Sequence, residues 1–183
     1  MLVFPKPYAD VVARLRVPFG FLLVVVFAWF SRPTVRSLGS GLPLSAVGLV
    51  LRAWASGYLA KNERLATGGP YGHARNPLYL GTLLVAAGLV FASRSVWLGV
   101  LFTAVFVLVY LPAIQLEEQH LRELFPEYPE YAASVPMIWP RLTPIPQKNP
   151  HPFRRSLYLR NQEYRAGAGF AAGVLFLLWK LIR

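Results

Sequence analysis

The chain contains no cysteine among its 183 residues. Disulfide frameworks, iron–sulfur clusters and thiol nucleophiles are thereby excluded, and the redox character of its compartment leaves no trace in it. Histidine is scarce: His73, His120 and His151 are scattered and fall in no metal-ligand spacing, so no metal site is expected. Charge is scarce too, at 15% of residues, where about 25% is usual. Acidic charge is scarcer still, with 8 carboxylates against 19 lysines and arginines. What fills the chain is apolar: 55% of residues are hydrophobic and the mean hydropathy is +0.43. That balance counts against a free-standing water-soluble domain and for a membrane protein. At about 20 residues per span the length allows about four to six helices. A multi-domain enzyme and a large transporter are both excluded.

The net charge of +11 would suggest nucleic acid in a soluble protein. No nucleic-acid motif accompanies it, and basic loops beside an anionic leaflet account for it. The 16 prolines and 14 glycines suit broken or tightly packed membrane helices. At the N-terminus Lys6, Arg14 and Arg16 precede an apolar run. No small-x-small site follows, since Ala28-Trp29-Phe30-Ser31 is too bulky, so a retained first span is expected rather than a cleaved signal.

Five apolar stretches stand out, at about 17–31, 41–60, 78–92, 96–115 and 166–182. The third and fourth are joined only by Ser93-Arg94-Ser95 and predict a tight helical hairpin. Gly167 and Gly169 open the fifth, where small residues let a neighbouring helix come close. With the N-terminus in the cytoplasm, 13 basic residues fall on the inner side and 5 on the outer, with Arg52 inside a span. The positive-inside rule therefore predicts an inner N-terminus and an outer C-terminus. Two segments, 61–77 and 117–165, then share the cytoplasmic face and hold nearly all the polar chemistry. Within the second, Pro136, Pro140, Pro144, Pro146, Pro150 and Pro152 predict an extended connector.

In the first segment Gly68-Gly69-Pro70 must turn, and Pro77 suits the first turn of the following span. The free N–H groups of that helix end, beside Arg75, form a place for a carboxylate or phosphate. An ordinary helix-entry loop with Arg75 on a lipid phosphate fits the same residues. In the second, Glu117 and Glu118 stand where the fourth span leaves the membrane. If the helix continues, Leu121, Leu124 and Phe125 keep one face apolar. Adjacent side chains then point about 100° apart, and one carboxylate faces inward. A solvated acidic turn is the alternative. Arg52 faces either a cavity or partner or snorkels to the surface. Pro112 predicts a kink just before Glu117 that opens room for a ligand.

Taken together the two segments resemble the isoprenylcysteine carboxyl methyltransferase family, which is related to the phospholipid N-methyltransferases. The resemblance rests on Leu65, Thr67, Gly69, Pro70, Tyr71, Arg75, Pro77, Tyr79 and Gly81. It continues after a span pair with Glu117, Glu118, Leu121, Phe125, Tyr128, Tyr131, Val135 and Pro136. It covers about residues 48–140 of a single domain, 1–183, with an extra C-terminal span at about 166–182. The resemblance implies an all-α polytopic membrane enzyme with about five spans. It implies S-adenosylmethionine held on the cytoplasmic side by Glu63, Arg64, Leu65, Ala66, Tyr71, Asn76, Pro77, Leu78, Tyr79, Glu117 and Glu118. Aromatic rings such as Tyr71 and Tyr79 suit a sulfonium by cation–π attraction.

Two positions depart from the family. Asn76 stands where the family has histidine; it keeps a donor and an acceptor but does not titrate. Ala113 stands where the isoprenylcysteine enzymes carry an arginine that meets the substrate carboxylate, so Arg52 or Arg75 would have to orient the substrate. The implied activity is methyl transfer to a lipophilic or amphiphilic acceptor from the bilayer. The resemblance is closest to the protein-S-isoprenylcysteine O-methyltransferases, with a phospholipid amine or a small thiol as alternative acceptors. Outside that class stand a nicotinamide-dependent membrane reductase and a non-enzymatic membrane partner protein. Membrane lipids are expected as partners, nucleic acid and metal are not, and the oligomeric state is left open.

Overall fold

The computed structural model describes residues 4–146 and 151–182, and among these every regular element is helical. Lys148, Pro150 and Arg183, counted above, lie outside the described residues, as does the side chain of Arg16. Helix α1 runs Lys6–Phe30 and α2 runs Val35–Ser56. A short 3-10 turn, Gly69–Gly72, precedes α3, Pro77–Ser93. Helix α4, Val96–Val105, continues through a π turn, Phe106–Tyr110, into α5, Leu111–Leu124. Two short helices follow, α6 at Tyr128–Ser134 and α7 at Arg155–Arg160. The chain closes with α8, Tyr164–Ile182.

All five apolar stretches lie largely in helices, and three to four of the helices are long and apolar enough to cross a membrane. Helix α2, the continuous rod Val96–Leu124 and α8 are each long and apolar enough. Helix α1 makes a fourth if its two arms, Lys6–Leu15 and Pro18–Phe30, bent by 56°, cross as one. Helix α3 has 17 residues, which at 1.5 Å per residue reach about 26 Å, short of a hydrocarbon core about 30 Å thick. Its ends are fixed by turn chemistry. Pro77 sits in its first turn, and Arg94 takes the left-handed conformation at φ 55° just past its end. Ser95 then caps α4 by accepting from the Leu98 amide. This is the hairpin that the three-residue linker predicts.

The tightest packing lies between α2 and α3. A Cβ on Gly48 would sit 2.6 Å from the Gly81 carbonyl oxygen, and one on Gly41 would overlap Gly88 and Ala92. The close approach brings serine hydroxyls onto the partner's backbone: Ser45 Oγ donates to Val85 O at 2.8 Å and Ser37 Oγ to Ala92 O at 2.9 Å. Small residues and shared hydrogen bonds are what hold helices together where lipid removes the hydrophobic drive. The glycines of α8 behave differently from expectation. Among the described residues, no atom beyond the helix's own nearby backbone and the adjoining residues lies within 4 Å of a Cβ built on Gly167, Gly169 or Gly173. That helix is tied instead by Leu177, fully buried, and by Lys180, whose Nζ donates to Ala28 O at 2.7 Å at the end of α1.

Pro112 does not kink the fourth stretch as expected. Its ring crowds the carbonyl four residues back, and it supplies no N–H to that carbonyl. The π turn immediately before it takes up the crowding. The orphaned Leu108 oxygen accepts instead from Tyr8 Oη of α1 at 2.7 Å. The helix therefore stays one rod and carries α5 straight to the end of the bundle.

The α2–α3 contact yields a direct test. Gly48→Ala should lower the unfolding midpoint of the detergent-purified protein, corresponding to about 1–3 kcal/mol of overpacking. Gly169→Ala should leave the midpoint unchanged. Equal effects at the two positions would contradict the assignment of the contact.

Candidate functional site

The loop after α2 is built by backbone constraints. Asn161 Nδ2 donates to Ser56 O and Leu59 O, both at 2.9 Å, and so closes the C-terminal end of α2. Gly69 takes φ +53°, and a Cβ there would strike the Tyr58 ring at 2.6 Å; only glycine suits both demands. The following residues are stitched to the proline-rich connector. The amides of Arg75 and Asn76 donate to Pro136 O and Met137 O, at 2.9 and 3.1 Å. The amides of Arg141 and Ile145 donate to His73 O and Gly72 O, at 3.0 and 3.1 Å. Tyr131 Oη adds a bond to Tyr71 O at 2.8 Å. His73 Nδ1 lies 2.8 Å from Arg141 O, so it donates there and is engaged in structure. The two polar segments thus become one assembly at one end of the helices.

The carboxylate pair divides as adjacent helical residues must. Glu117 faces a cavity and accepts from Tyr79 Oη at 3.1 Å. Glu118 turns behind the wall. Its Oε1 lies 2.9 Å from Arg75 Nε and accepts from Asn76 Nδ2 at 3.2 Å. The Arg75 contact is one of charge rather than an aligned hydrogen bond, because Nε itself has no hydrogen-bonding partner. Arg75 also donates from Nη1 to Ala132 O at 2.8 Å. Asn76 donates from Nδ2 to Glu118 and to Met137 O, and its side chain places no cap on α3. The first residues of that helix, Pro77 to Tyr79, line the cavity, and such a helix end carries partial positive charge.

The cavity has a volume of about 500 Å³, within the range of small-molecule sites. Arg64, Leu65, Ala66, Tyr71, Arg75, Asn76, Pro77, Leu78, Tyr79 and Glu117 all line it. Three expected residues do not. Glu63 is exposed and pairs with Arg160 at 2.7 Å. Glu118 is the counter-charge of Arg75. Arg52, expected to orient substrate, lies 2.5 Å from Glu163 by its Nε and grips α3 by Nη1. Its position is corrected accordingly, from the cavity to the contact between α2, α3 and the start of α8.

The structure adds walls that the motifs did not supply. Asp10, Ala13 and Arg14 of α1 line the cavity, as do Lys61, His120 and Tyr128. Asp10 and Arg14 stand one turn apart on a helix. That spacing is visible in the sequence, but nothing there shows that α1 closes over the site. Burial pushes the Tyr71 phenol far above its ordinary range, and the Glu117 charge pushes it the same way. Tyr128 and Tyr131 are also raised by burial first; Glu118 adds to the rise and Arg75 opposes it. The Arg122 guanidinium lies over the Tyr128 ring, 5.4 Å from its centre.

Residues 15–128 match the sequence model of the phospholipid methyltransferase family. The chain belongs to that family. The match runs from α1 to the start of α6 and so takes in both polar segments as far as Tyr128. The chain is 37% identical over 118 residues to the cobalt-zinc-cadmium resistance protein CzcN of Cupriavidus metallidurans, covering 63% of this chain and 53% of that protein. It is 32% identical over 117 residues to the nickel-cobalt-cadmium resistance protein NccN of Alcaligenes xylosoxydans xylosoxydans, covering 63% and 54%. The chain thus spans about half the length of these relatives. No solved structure matches it. That family is one of membrane methyltransferases, and every regular element among the described residues is helical.

The buried phenols set an alkaline limit. Tyrosines raised in the folded state stay protonated while unfolded ones ionise at about 10. The stability they confer is complete below pH 10 and is lost as pH rises beyond it toward their folded values. In an alkaline titration followed by tyrosinate absorbance, Tyr71, Tyr128 and Tyr131 should ionise only together with unfolding. A Tyr71→Phe variant that loses tyrosinate amplitude before unfolding, relative to wild type, would contradict this.

Proposed function

We propose that the cavity binds S-adenosylmethionine and that the chain transfers its methyl group to a lipophilic or amphiphilic acceptor from the bilayer. The observation that carries this is Glu117, a carboxylate held by Tyr79 on the wall of a cavity that aromatic, basic and apolar side chains also line, with Asp10 of α1 as a second carboxylate. The donor set fits the cofactor. Glu117 offers lone pairs to ribose hydroxyls or to an ammonium group. The uncapped start of α3, with Arg64 and Lys61 nearby, suits a carboxylate. Tyr71 and Tyr79 offer ring faces to the adenine or the sulfonium. Arg75 is engaged with Glu118 and Ala132 and serves as wall rather than as free cation.

When bound, the cofactor supplies a methyl group on a positively charged sulfur, already activated for in-line displacement. The chain's residues need only align the acceptor with it and keep water out. Asn76 suits this: it orders Glu118 by hydrogen bonding and has no proton to exchange near neutrality. The apolar side of the cavity, with Ala113 and Leu116 of α5, suits an acceptor with a hydrocarbon portion. The excess of basic residues on the segments that build the site favours its placement on the cytoplasmic side.

The curated relatives are named for resistance to metals. Among the described residues no group of three or more metal-ligating side chains comes together, and the sequence has no cysteine.

Equilibrium binding to the detergent-purified protein tests the proposal. S-adenosylmethionine should bind, and Glu117→Ala should weaken it about tenfold or more, the worth of a hydrogen bond to a charged group. Binding of NADPH without binding of S-adenosylmethionine would overturn the reading. With labelled cofactor and a host lipid extract, the label should pass to a lipid-soluble product; label confined to water-soluble compounds would contradict the acceptor class.

A further inference from the structure

Arg52 sits near the end of α2, with its side chain 23% exposed and that of Glu163 only 10%. An unpaired cation there would be costly. Snorkelling would leave it in water, yet its Nε and Nη1 both point into the protein. Nε faces Glu163 Oε1 at 2.5 Å, and Nη1 donates to Leu78 O at 3.2 Å and to Thr82 Oγ1. Thr82 Oγ1 donates onward to Leu78 O at 3.0 Å. Room for this arm is made by Gly81, where a Cβ would lie 2.5 Å from Arg52 Cγ. Glu163 opens the turn into α8 and stands beyond the residues that match the family model.

We infer that Arg52 is a positioning residue for the cavity, and that Glu163, at the start of the last helix, is the group that lets it act. Glu163 neutralises one edge of the guanidinium, and the other edge fixes the first turn of α3. That turn carries Leu78 and Tyr79 to the cavity wall, and Tyr79 in turn holds Glu117. The planar fork of arginine serves both edges at once, which a lysine ammonium on a flexible stem does not. The last helix thereby gains a role at a site it does not line. This inference rests on the cavity being the cofactor site proposed above.

Two variants test it: Arg52→Lys, and the exchange of charges Arg52→Glu with Glu163→Arg. Three readouts apply to each: the unfolding midpoint, hydrogen exchange of amides 80–84 in the ligand-free protein, and affinity for S-adenosylmethionine. Both variants keep an ion pair, so their midpoints should stay above that of Arg52→Gln. Neither restores the grip on Leu78 O and Thr82, so amides 80–84 should exchange faster and affinity should fall about tenfold. A pair that merely holds the fold would be rescued by lysine in every readout, and wild-type exchange and affinity in Arg52→Lys would overturn the inference. If the exchanged pair does not fold, Arg52→Lys decides alone. If wild type does not bind S-adenosylmethionine, the functional reading falls, and amide exchange still decides whether Arg52 sets the turn.

Discussion

The contact between α2 and α3 is the constraint on which the rest depends. In a bilayer, apolar side chains gain little by leaving lipid for protein, so helices associate where backbones can come close. Gly41, Ser45 and Gly48 on α2 meet Gly81, Val85, Gly88 and Ala92 on α3. The spacing of four and three residues keeps the small positions on one face of each helix. The same face carries Arg52 at its next step, lying over Gly81. The seam that joins the helices therefore ends in the group that fixes the first turn of α3, and the cavity begins at that turn.

From there the site follows by backbone pairing. The segment after α2 turns at Gly69 and runs beside the proline-rich connector, exchanging amide–carbonyl bonds with it. Proline lacks a donor but keeps its carbonyl, and Pro136 O is used as an acceptor. The helix through the π turn delivers two carboxylates to the junction. One faces the cavity and the other neutralises Arg75 behind it. A single pair of adjacent glutamates thus supplies both a cavity-facing group and its structural counterpart.

Much of this is legible in the residues alone. The apolar stretches, the three-residue hairpin and the clustering of polar residues into two segments follow from composition and period. The division of labour between Glu117 and Glu118 follows from helix geometry, although which one faces inward does not. Other features depend on partners distant in sequence. Gly167 and Gly169 look like packing residues as much as Gly48 and Gly81 do; only the fold shows which pair has a neighbour. Pro112 predicts a kink, and the answer lies in Tyr8, about a hundred residues away, and in a wider helical turn. Arg52 and Glu63 look available for ligand until Glu163 and Arg160 come to meet them. Asp10 and Arg14 reach the site because α1 folds over it, a fact with no local signature.

The central claim is that residues 61–79 and the end of α5 enclose one cavity that takes S-adenosylmethionine. Because the natural chain has no cysteine, a single introduced thiol reports on one place alone. Ala66→Cys lines the cavity, whereas Gly169→Cys lies on α8 with nothing beside it. The decisive measurement is the rate of labelling of each thiol with and without S-adenosylmethionine. The account predicts that the cofactor slows labelling at position 66 and leaves position 169 unchanged. Unchanged labelling at position 66 under saturating cofactor would contradict it.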